Sequence, residues 1–484
     1  MKRTLPWRGL LAINVHWLGI STVTGSITPI LMPYLIALFV PDDRKNTYLA
    51  TVRVASLAVA MAIQPMAGLL SDRSTLPWGR RRPFVLMGTT FTILSLLVIG
   101  LSSHLGDSVA SDGFAPLAYL VLFAGIVLWQ ASSNLGQGAL QGLIPDLVPE
   151  NERGRASGVK ATMEVLAALP LVALGPLVDR DSLWPALGVL AALLSLTTLI
   201  TVRFVHEDRP GEIPSVPADS TLGRMVLLAL LFVGVTQAAV WLVRASSRFL
   251  AVQQAGTGAQ VIVVGLTGLA GMAGSVFLGV YLGARIGIGR QATSRAPFIW
   301  WIINRLLFFA AAGSIQGFIL YFLRDVHHIA NVATTSTFLL AVVAAFLTLS
   351  AIAGGYLADR IGYRRLIFLS SLAAAAGTYL LVVAPGLPLL FVSGSILGIG
   401  AGVFWATNWA LGTRLVPPTE AGRYLGIANL AGAGAGIVGA GIGGPMADFF
   451  NTFRPGLGYQ VIFSLYGVLF LLSAAALSRV TRGD

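Results

Sequence analysis

Gly68–Phe84 reads GLLSDRSTLPWGRRRPF, and Gly355–Phe368 reads GYLADRIGYRRLIF. Both carry Gly-x-Leu-[Ser/Ala]-Asp-Arg, then a glycine, then a cluster of arginines, directly after a long apolar run. A second echo follows each of them. Asp146–Gly158 (DLVPENERGRASG) and Arg414–Gly426 (RLVPPTEAGRYLG) share Leu-Val-Pro, a glutamate, Gly-Arg and a final glycine. Two echoes in the same order make the chain one plan written twice.

The surroundings of these loops decide the solvent. The 484 residues are 56% hydrophobic and 11% charged, with a mean hydropathy of +0.80, where a soluble protein carries about 25% charged residues. A soluble globule is excluded. At roughly 20 apolar residues per crossing, the apolar runs predict spans at 10–39, 49–70, 84–104, 117–145, 156–178 and 183–204. Further runs fall at 225–250, 257–284, 297–323, 334–357, 366–384, 388–413, 424–446 and 460–478. The expected fold class is therefore all-α and polytopic, with fourteen transmembrane helices. The stretch after Lys2 and Arg3 runs on to Phe39 without an A-x-A cleavage site, so it reads as a first membrane helix, not a removable signal. The absence of cysteine excludes disulfides and thiol chemistry.

Prolines and acids from His206 to Gly223 mark a linker, giving an expected division into 1–205, 206–223, 224–296 and 297–484. Most of the 32 Lys and Arg fall in alternate loops, on the side that holds both termini. By the positive-inside rule both termini are expected to be cytoplasmic. The net charge of +12 is then topology and lipid attraction, and the short scattered loops offer no nucleic-acid-binding face.

The quoted loops resemble the signature loops of the major facilitator superfamily, which join the second and third helices of each six-helix half. That resemblance implies two six-helix halves, with the spans at 225–250 and 257–284 as an inserted hairpin. The longer first loop, Ser132–Gly158 and Gln316–Val326 are similar to the sucrose-transporter and glycoside–cation symporter branch. The second helix lacks the acids that melibiose-type sodium carriers use, so the expected coupling ion is the proton. Asp72 and Asp359 end helices beside arginines, where a carboxylate accepts charge-assisted hydrogen bonds. Gly68, Asp72, Arg73, Arg80, Arg81, Arg82, Asp146, Arg155, Asp359, Arg360, Arg364, Arg365 and Arg423 are thus candidates for a conformational latch. The alternative is that the arginines only set topology.

Charge within a span costs about 2.5–3.5 kcal/mol on insertion scales, so each instance needs a reason. Lys160 and Glu164 stand i, i+4, within ion-pairing reach on one face, and Glu164 is the candidate proton carrier, against a permanent structural pair. Arg305 is a candidate counter-charge to Glu164 or a donor to sugar hydroxyls. Asn304 lies beside it, and Gln316, eleven residues on, returns to nearly the same face. Gln130, Asn134, Gln137 and Gln141 follow a 4-3-4 spacing and fall within about 60° of arc. Four amides in one stripe suit a polyhydroxylated ligand, or hydrogen bonds between helices. His16 is a candidate relay or a packed structural histidine. Trp405, Asn408 and Trp409 form an aromatic–polar cluster suited to stacking on sugar rings, or to packing. Gly432–Gly444, GAGAGIVGAGIGG, suits close helix packing and not a dinucleotide site, because no strand precedes it. Gln237, Trp241, Arg244 and Arg248 share one face of the hairpin, as an interfacial anchor would.

No metal motif, P-loop or nucleophile elbow appears, so the expectation is a non-enzyme without cofactor. The expected activity is proton-coupled symport of a small molecule, a sugar or glycoside, in a bacterial plasma (inner) membrane, with the lipid bilayer as surroundings and no obligate protein partner. Two other readings stay open: a proton-coupled exporter of an amphiphilic compound, and a non-transporting assembly or pigment-delivery protein.

Overall fold

The computed structural model describes residues 6–105, 114–207, 219–289, 296–416 and 421–480, and every regular element among them is helical. Among the described residues thirteen stretches are long and apolar enough to cross a membrane. A further helix, Ala421–Asn451, has 31 residues, or about 46 Å at 1.5 Å per residue. The chain forms two compact units, the first comprising Met1–Pro41, Val59–Gly223 and Ala333–Thr337, the second Asp42–Ala58, Arg224–Val332 and Phe338–Asp484.

The first unit holds α1 (Trp7–Ser26), α2 (Met32–Phe39), the later part of α3 (Lys45–Asp72), α4 (Arg82–His104), α5 (Pro116–Leu147), α6 (Arg153–Leu166), α7 (Ala168–Asp179) and α8 (Leu183–Phe204). Between α1 and α2 the chain widens into a π-helical turn, Ile27–Leu31. Pro29 lies in that turn and has no N–H to donate, so the regular i to i−4 ladder is interrupted there. The single span expected at 156–178 is two helices meeting at Ala167. Pro170 accounts for the break, because its ring collides with the carbonyl four residues back, that of Leu166. α4 lies against α5 where a Cβ on Gly88 would stand 2.6 Å from Gly136 N. Lipid supplies no hydrophobic drive between helices, so such close backbone approach does the packing.

The second unit holds the start of α3, then α9 (Asp219–Val252), α10 (Thr257–Gly287), α11 (Ala296–Asp325), α12 (Val332–Ile361), α13 (Tyr363–Val383), α14 (Leu387–Leu415), α15 (Ala421–Asn451) and α16 (Leu457–Ala476). α11 is the most buried span, packed against α15 and α16. The glycine-rich run of α15 does pack closely, since a Cβ on Gly439 would lie 2.4 Å from Ala310 O. The inserted hairpin, α9 and α10, docks on the same helix. Gly434 makes room for Phe232 of α9, and Gly268 of α10 makes room for Met446. Gln237, Trp241, Arg244 and Arg248 face outward from the hairpin, all exposed.

Hydroxyls inside the spans mostly bond to their own helix. Thr22 Oγ1 donates to Leu18 O at 2.9 Å, Ser26 Oγ to Thr22 O at 2.7 Å and Thr378 Oγ1 to Ala374 O at 2.8 Å. The polar hydrogen is thereby satisfied without a neighbouring helix.

Candidate substrate and coupling site

In the first unit, Lys160 Nζ lies 3.3 Å from Glu164 Oε1, one turn apart on α6, with both side chains partly exposed. The ammonium also sits 4.1 Å from the ring centroid of Trp17 on α1. Lys160 thus has a second site, since an aromatic face attracts a cation within about 6 Å. His16 is buried, with Nδ1 3.4 Å from Thr197 Oγ1 and 3.2 Å from Thr198 Oγ1, in a hydroxyl cage made by α8.

The amide stripe of α5 divides. Asn134 is buried and its Nδ2 donates to Gln130 O of its own helix at 2.7 Å. Gln137 Oε1 accepts from Gln64 Nε2 of α3 at 3.4 Å. Gln130 is half-buried and Gln141 exposed. One amide is thus spent locally and one between helices, while two keep access.

The first signature loop is a closed ion-pair network. Arg81 reaches Asp146 Oδ2 through Nε at 2.9 Å, Ser71 Oγ through Nη1 at 2.6 Å, and Asp72 through Nη2. Arg80 Nη2 pairs with Asp146 Oδ1 at 2.7 Å. Burial opposes the charge of Arg80, but its hydrogen bond to Asp146 and the nearby carboxylates outweigh that and hold its pKa above the ordinary value. Arg82 donates to Trp78 O at 3.2 Å, and Arg155 pairs with Glu152 at 3.2 Å. Gly68 O accepts from Arg81 Nη1 at 3.4 Å, and Arg73 takes no part in these ion pairs. Glu207, just past α8, accepts the backbone N–H groups of Arg80, Arg81 and Arg82, each at 2.8 Å. It caps α4 in place of a local residue, since Arg81 at the N-cap position offers no capping side chain.

The second loop departs from the expected likeness. Among the described residues Asp359 accepts from Tyr363 Oη at 2.8 Å and forms no ion pair. Arg360 donates to Tyr356 Oη, Arg364 to Leu477 O at 3.2 Å, and Arg365 is exposed. The shorter loop brings a tyrosine, one turn past Asp359, to the carboxylate that the first loop offers to an arginine. Arg423 lies outside the described side chains.

The second unit holds a connected polar cluster within its spans. Arg305 is buried, with Nη1 donating to Asn408 Oδ1 at 3.2 Å. Asn408 Nδ2 donates to Asn304 Oδ1 at 2.8 Å, and Asn304 Nδ2 to Ser473 O at 2.7 Å. Trp301 Nε1 donates to Asn408 O at 2.9 Å. Three helices, α11, α14 and α16, are tied through one chain of bonds. The guanidinium stands 4.7 Å from the Phe309 ring and 5.1 Å from that of Trp409, and Phe309 meets Trp405 edge-on at 5.4 Å. Among the described residues Arg305 Nε has no hydrogen-bond partner. Trp405 is 57% exposed, and Gln316 is exposed on the one face of α11 that also carries Phe309. Asn304 and Asn408 are thus helix ties, Arg305 is buried against Phe309 and Trp409, and Trp405 and Gln316 are exposed on their helices.

Arg53 is a charge that span-by-span reading leaves among the outer basic residues. It is buried nine positions into α3, its Nη2 donating to Gly313 O at 3.0 Å. Its signal was its distance from either end of the helix. No group of three or more His, Asp or Glu that could hold a metal occurs among the described residues.

A duplicated helical plan with charges tied inside its spans defines a polytopic integral membrane protein. The family model described as Major Facilitator Superfamily matches residues 10–324 and 301–483, and the chain belongs to that superfamily. It is 36% identical over 107 residues to a sucrose transport protein of Oryza sativa subsp. japonica, covering 20% of each chain. A second rice protein of that description (subsp. indica) is 28% identical over 244 residues, covering 45% of this chain and 47% of the relative. A general alpha-glucoside permease of Schizosaccharomyces pombe is 27% identical over 221 residues, covering 43% and 39%. The matches thus span less than half the length of these curated relatives. Solved structures of the same fold include the nucleoside transporter NupG, with a TM-score of 0.64 at 13% identity, covering 98% of this chain and all of that one. A POT family transporter has a TM-score of 0.66 at 15% identity, covering 98% and 97%.

Proposed function

We propose that the chain is a secondary transporter that moves a sugar or glycoside together with a proton by alternating access. The observation that carries this reading is the pair of exposed side chains, Trp405 of α14 and Gln316 of α11, beside a buried arginine on the same helix. The Arg305 guanidinium is buried against the rings of Phe309 and Trp409, its Nε without a hydrogen-bond partner among the described residues. Aromatic faces and convergent donors suit a ring bearing hydroxyls. Gln130 and Gln141 add accessible amides on α5, and the names of the rice and yeast relatives support the same substrate class.

Glu164 is the proton carrier in this reading. When it is ionised, Lys160 neutralises it; when it is protonated, the ammonium retires to the Trp17 face. Both termini lie in the cytoplasm, and the membrane is the bacterial plasma membrane. The test is the pH of lightly buffered, de-energised cells on addition of disaccharides and glycosides. Alkalinisation that disappears in Glu164→Gln is expected. No pH change with any sugar, despite surface expression, refutes symport and directs the next assay to export from everted vesicles.

A further inference from the structure

The second signature loop lines a cavity of about 1610 Å³, and every residue that lines it belongs to the second unit. The cavity lies at helix ends: α12 and α14 finish there, α13 starts, and Phe298 of α11 and Leu477, just past α16, complete the wall. Arg360, Arg364, Arg365 and Arg414 line it and all four are exposed, while Asp359 is the one carboxylate of the lining. That carboxylate is taken by Tyr363 Oη at 2.8 Å. Arg360 and Arg414 donate to tyrosine hydroxyls and Arg364 to a backbone carbonyl, so among the described residues no ion pair neutralises the four.

The duplication shows what is missing. The Leu-Val-Pro echo aligns Asp146 of the first copy with Arg414 of the second. In the first copy the acid at this place pairs with both Arg80 and Arg81, and Glu207 takes the first N–H groups of α4. In the second copy the same place holds another cation, and α13 starts after Gly362 with no side-chain cap. Arg81 is accordingly buried, whereas the arginines of the second copy are exposed. The second copy keeps the cations of the motif and lacks the anion that closes it.

The lining selects among anions. On α13, Phe368 and Leu369 follow Arg364 and Arg365 by four residues, about 6 Å along the axis, and both are exposed at the cavity. Forked guanidinium donors at a helix end suit a phosphate group. Apolar side chains one turn further into the span suit a molecule whose charged head continues into hydrocarbon. A free phosphate would engage the arginines and leave Phe368 and Leu369 unmatched.

We propose that this cavity binds the phosphodiester headgroup of an anionic phospholipid, held by Arg364, Arg365 and Arg414, with its acyl chains on Phe368 and Leu369. Basic recesses between membrane helices hold anionic headgroups on the same electrostatic grounds. Such a site needs only the second unit and a bilayer, and it stands whatever the substrate or the coupling ion.

The full chain in neutral detergent is titrated with dioleoylphosphatidylglycerol, dioleoylphosphatidylcholine or glycerol 3-phosphate, and the Kd of the first bound molecule is read by native mass spectrometry. Phosphatidylglycerol is expected to bind tightest. Each arginine beside an anionic headgroup is worth about fivefold in affinity. Arg365→Gln should therefore weaken phosphatidylglycerol about fivefold, and Arg414→Asp, which restores the charge that the first copy has at this place, roughly thirtyfold. Phosphatidylcholine should bind both variants as it binds the parent. Arg248→Gln, at an exposed position of α9, controls for net charge and should leave the Kd unchanged. Should Arg414→Asp not purify as monodisperse protein, Arg365→Gln decides, because that side chain is exposed. Equal binding of the two lipids by the parent, an unaltered Kd in Arg365→Gln, or the same loss in Arg248→Gln overturns the site. Glycerol 3-phosphate bound as tightly as phosphatidylglycerol overturns the lipid and makes the occupant a soluble phosphate.

Discussion

The tie between Asn304 and Asn408 allows a quantitative prediction. Truncating Asn408 to alanine strands Asn304 Oδ1 and removes the acceptor of Arg305 Nη1, both fully enclosed by α11, α14 and α16. In a water-soluble core each stranded group costs about 1–3 kcal/mol, which would make the pair a dominant contributor. In a membrane the unfolded helices also find polar partners, and measured couplings average about 0.6 and reach at most about 1.7 kcal/mol. The second figure governs here, because Asn304 Nδ2 stays bonded to Ser473 in the variant. A double-mutant cycle of Asn304→Ala and Asn408→Ala, followed by reversible unfolding in mixed micelles, is expected to show a coupling of about 1 kcal/mol. Strict additivity, with a coupling below about 0.3 kcal/mol, would refute the argument that this bond ties α11 to α14.

Other perturbations have equally definite outcomes. Gly412→Ala places a Cβ 2.0 Å from Trp301 Cζ2, and since Trp301 is fully buried the overpacking should cost about 1–3 kcal/mol, read as a lower melting temperature in detergent. Arg81→Lys keeps the charge but loses the fork that reaches Asp72, Ser71 and Asp146 together, so the stability lost on Arg81→Ala should be largely unrecovered by lysine in the same melt. Glu207→Gln weakens the cap on three backbone N–H groups at the start of α4, and amide exchange at Arg80–Arg82 should accelerate several-fold, in line with the roughly 0.5–2 kcal/mol of a cap.

What could be read from the sequence was what is local. The repeated loops are contiguous, and the Lys160–Glu164 pair follows from helical spacing alone, as does the shared face of Arg305 and Gln316. The hairpin follows from apolar run length. The break at Ala167 was hidden because the stretch around it is long and apolar enough to count as one membrane span; only Pro170 marks it. Partner choice was illegible for a different reason. Asn304, Asn408 and Ser473 lie on three helices, and spacing says that an amide needs a partner without saying which. Glu207 sits in an acidic linker where nothing distinguishes it from its neighbours until α4 is seen to begin beneath it. The unlike second loop, where Tyr363 takes the carboxylate of Asp359, shows that a repeated motif fixes position without fixing the bond.

The self-bonded hydroxyls bear on how the chain is made. A helix whose serines and threonines return their hydrogens to their own carbonyls can leave the insertion machinery alone, because its polar groups are already quenched. α11 cannot, since Asn304 completes its bonds only with Ser473, 169 residues further along the chain. At about 5–20 residues per second the ribosome needs roughly 8–34 seconds to deliver that partner. During that interval α11 holds an unquenched amide and an arginine in the bilayer, and this is the stage of biogenesis at which a membrane chaperone or quality-control protease would first distinguish a sound chain from a truncated one.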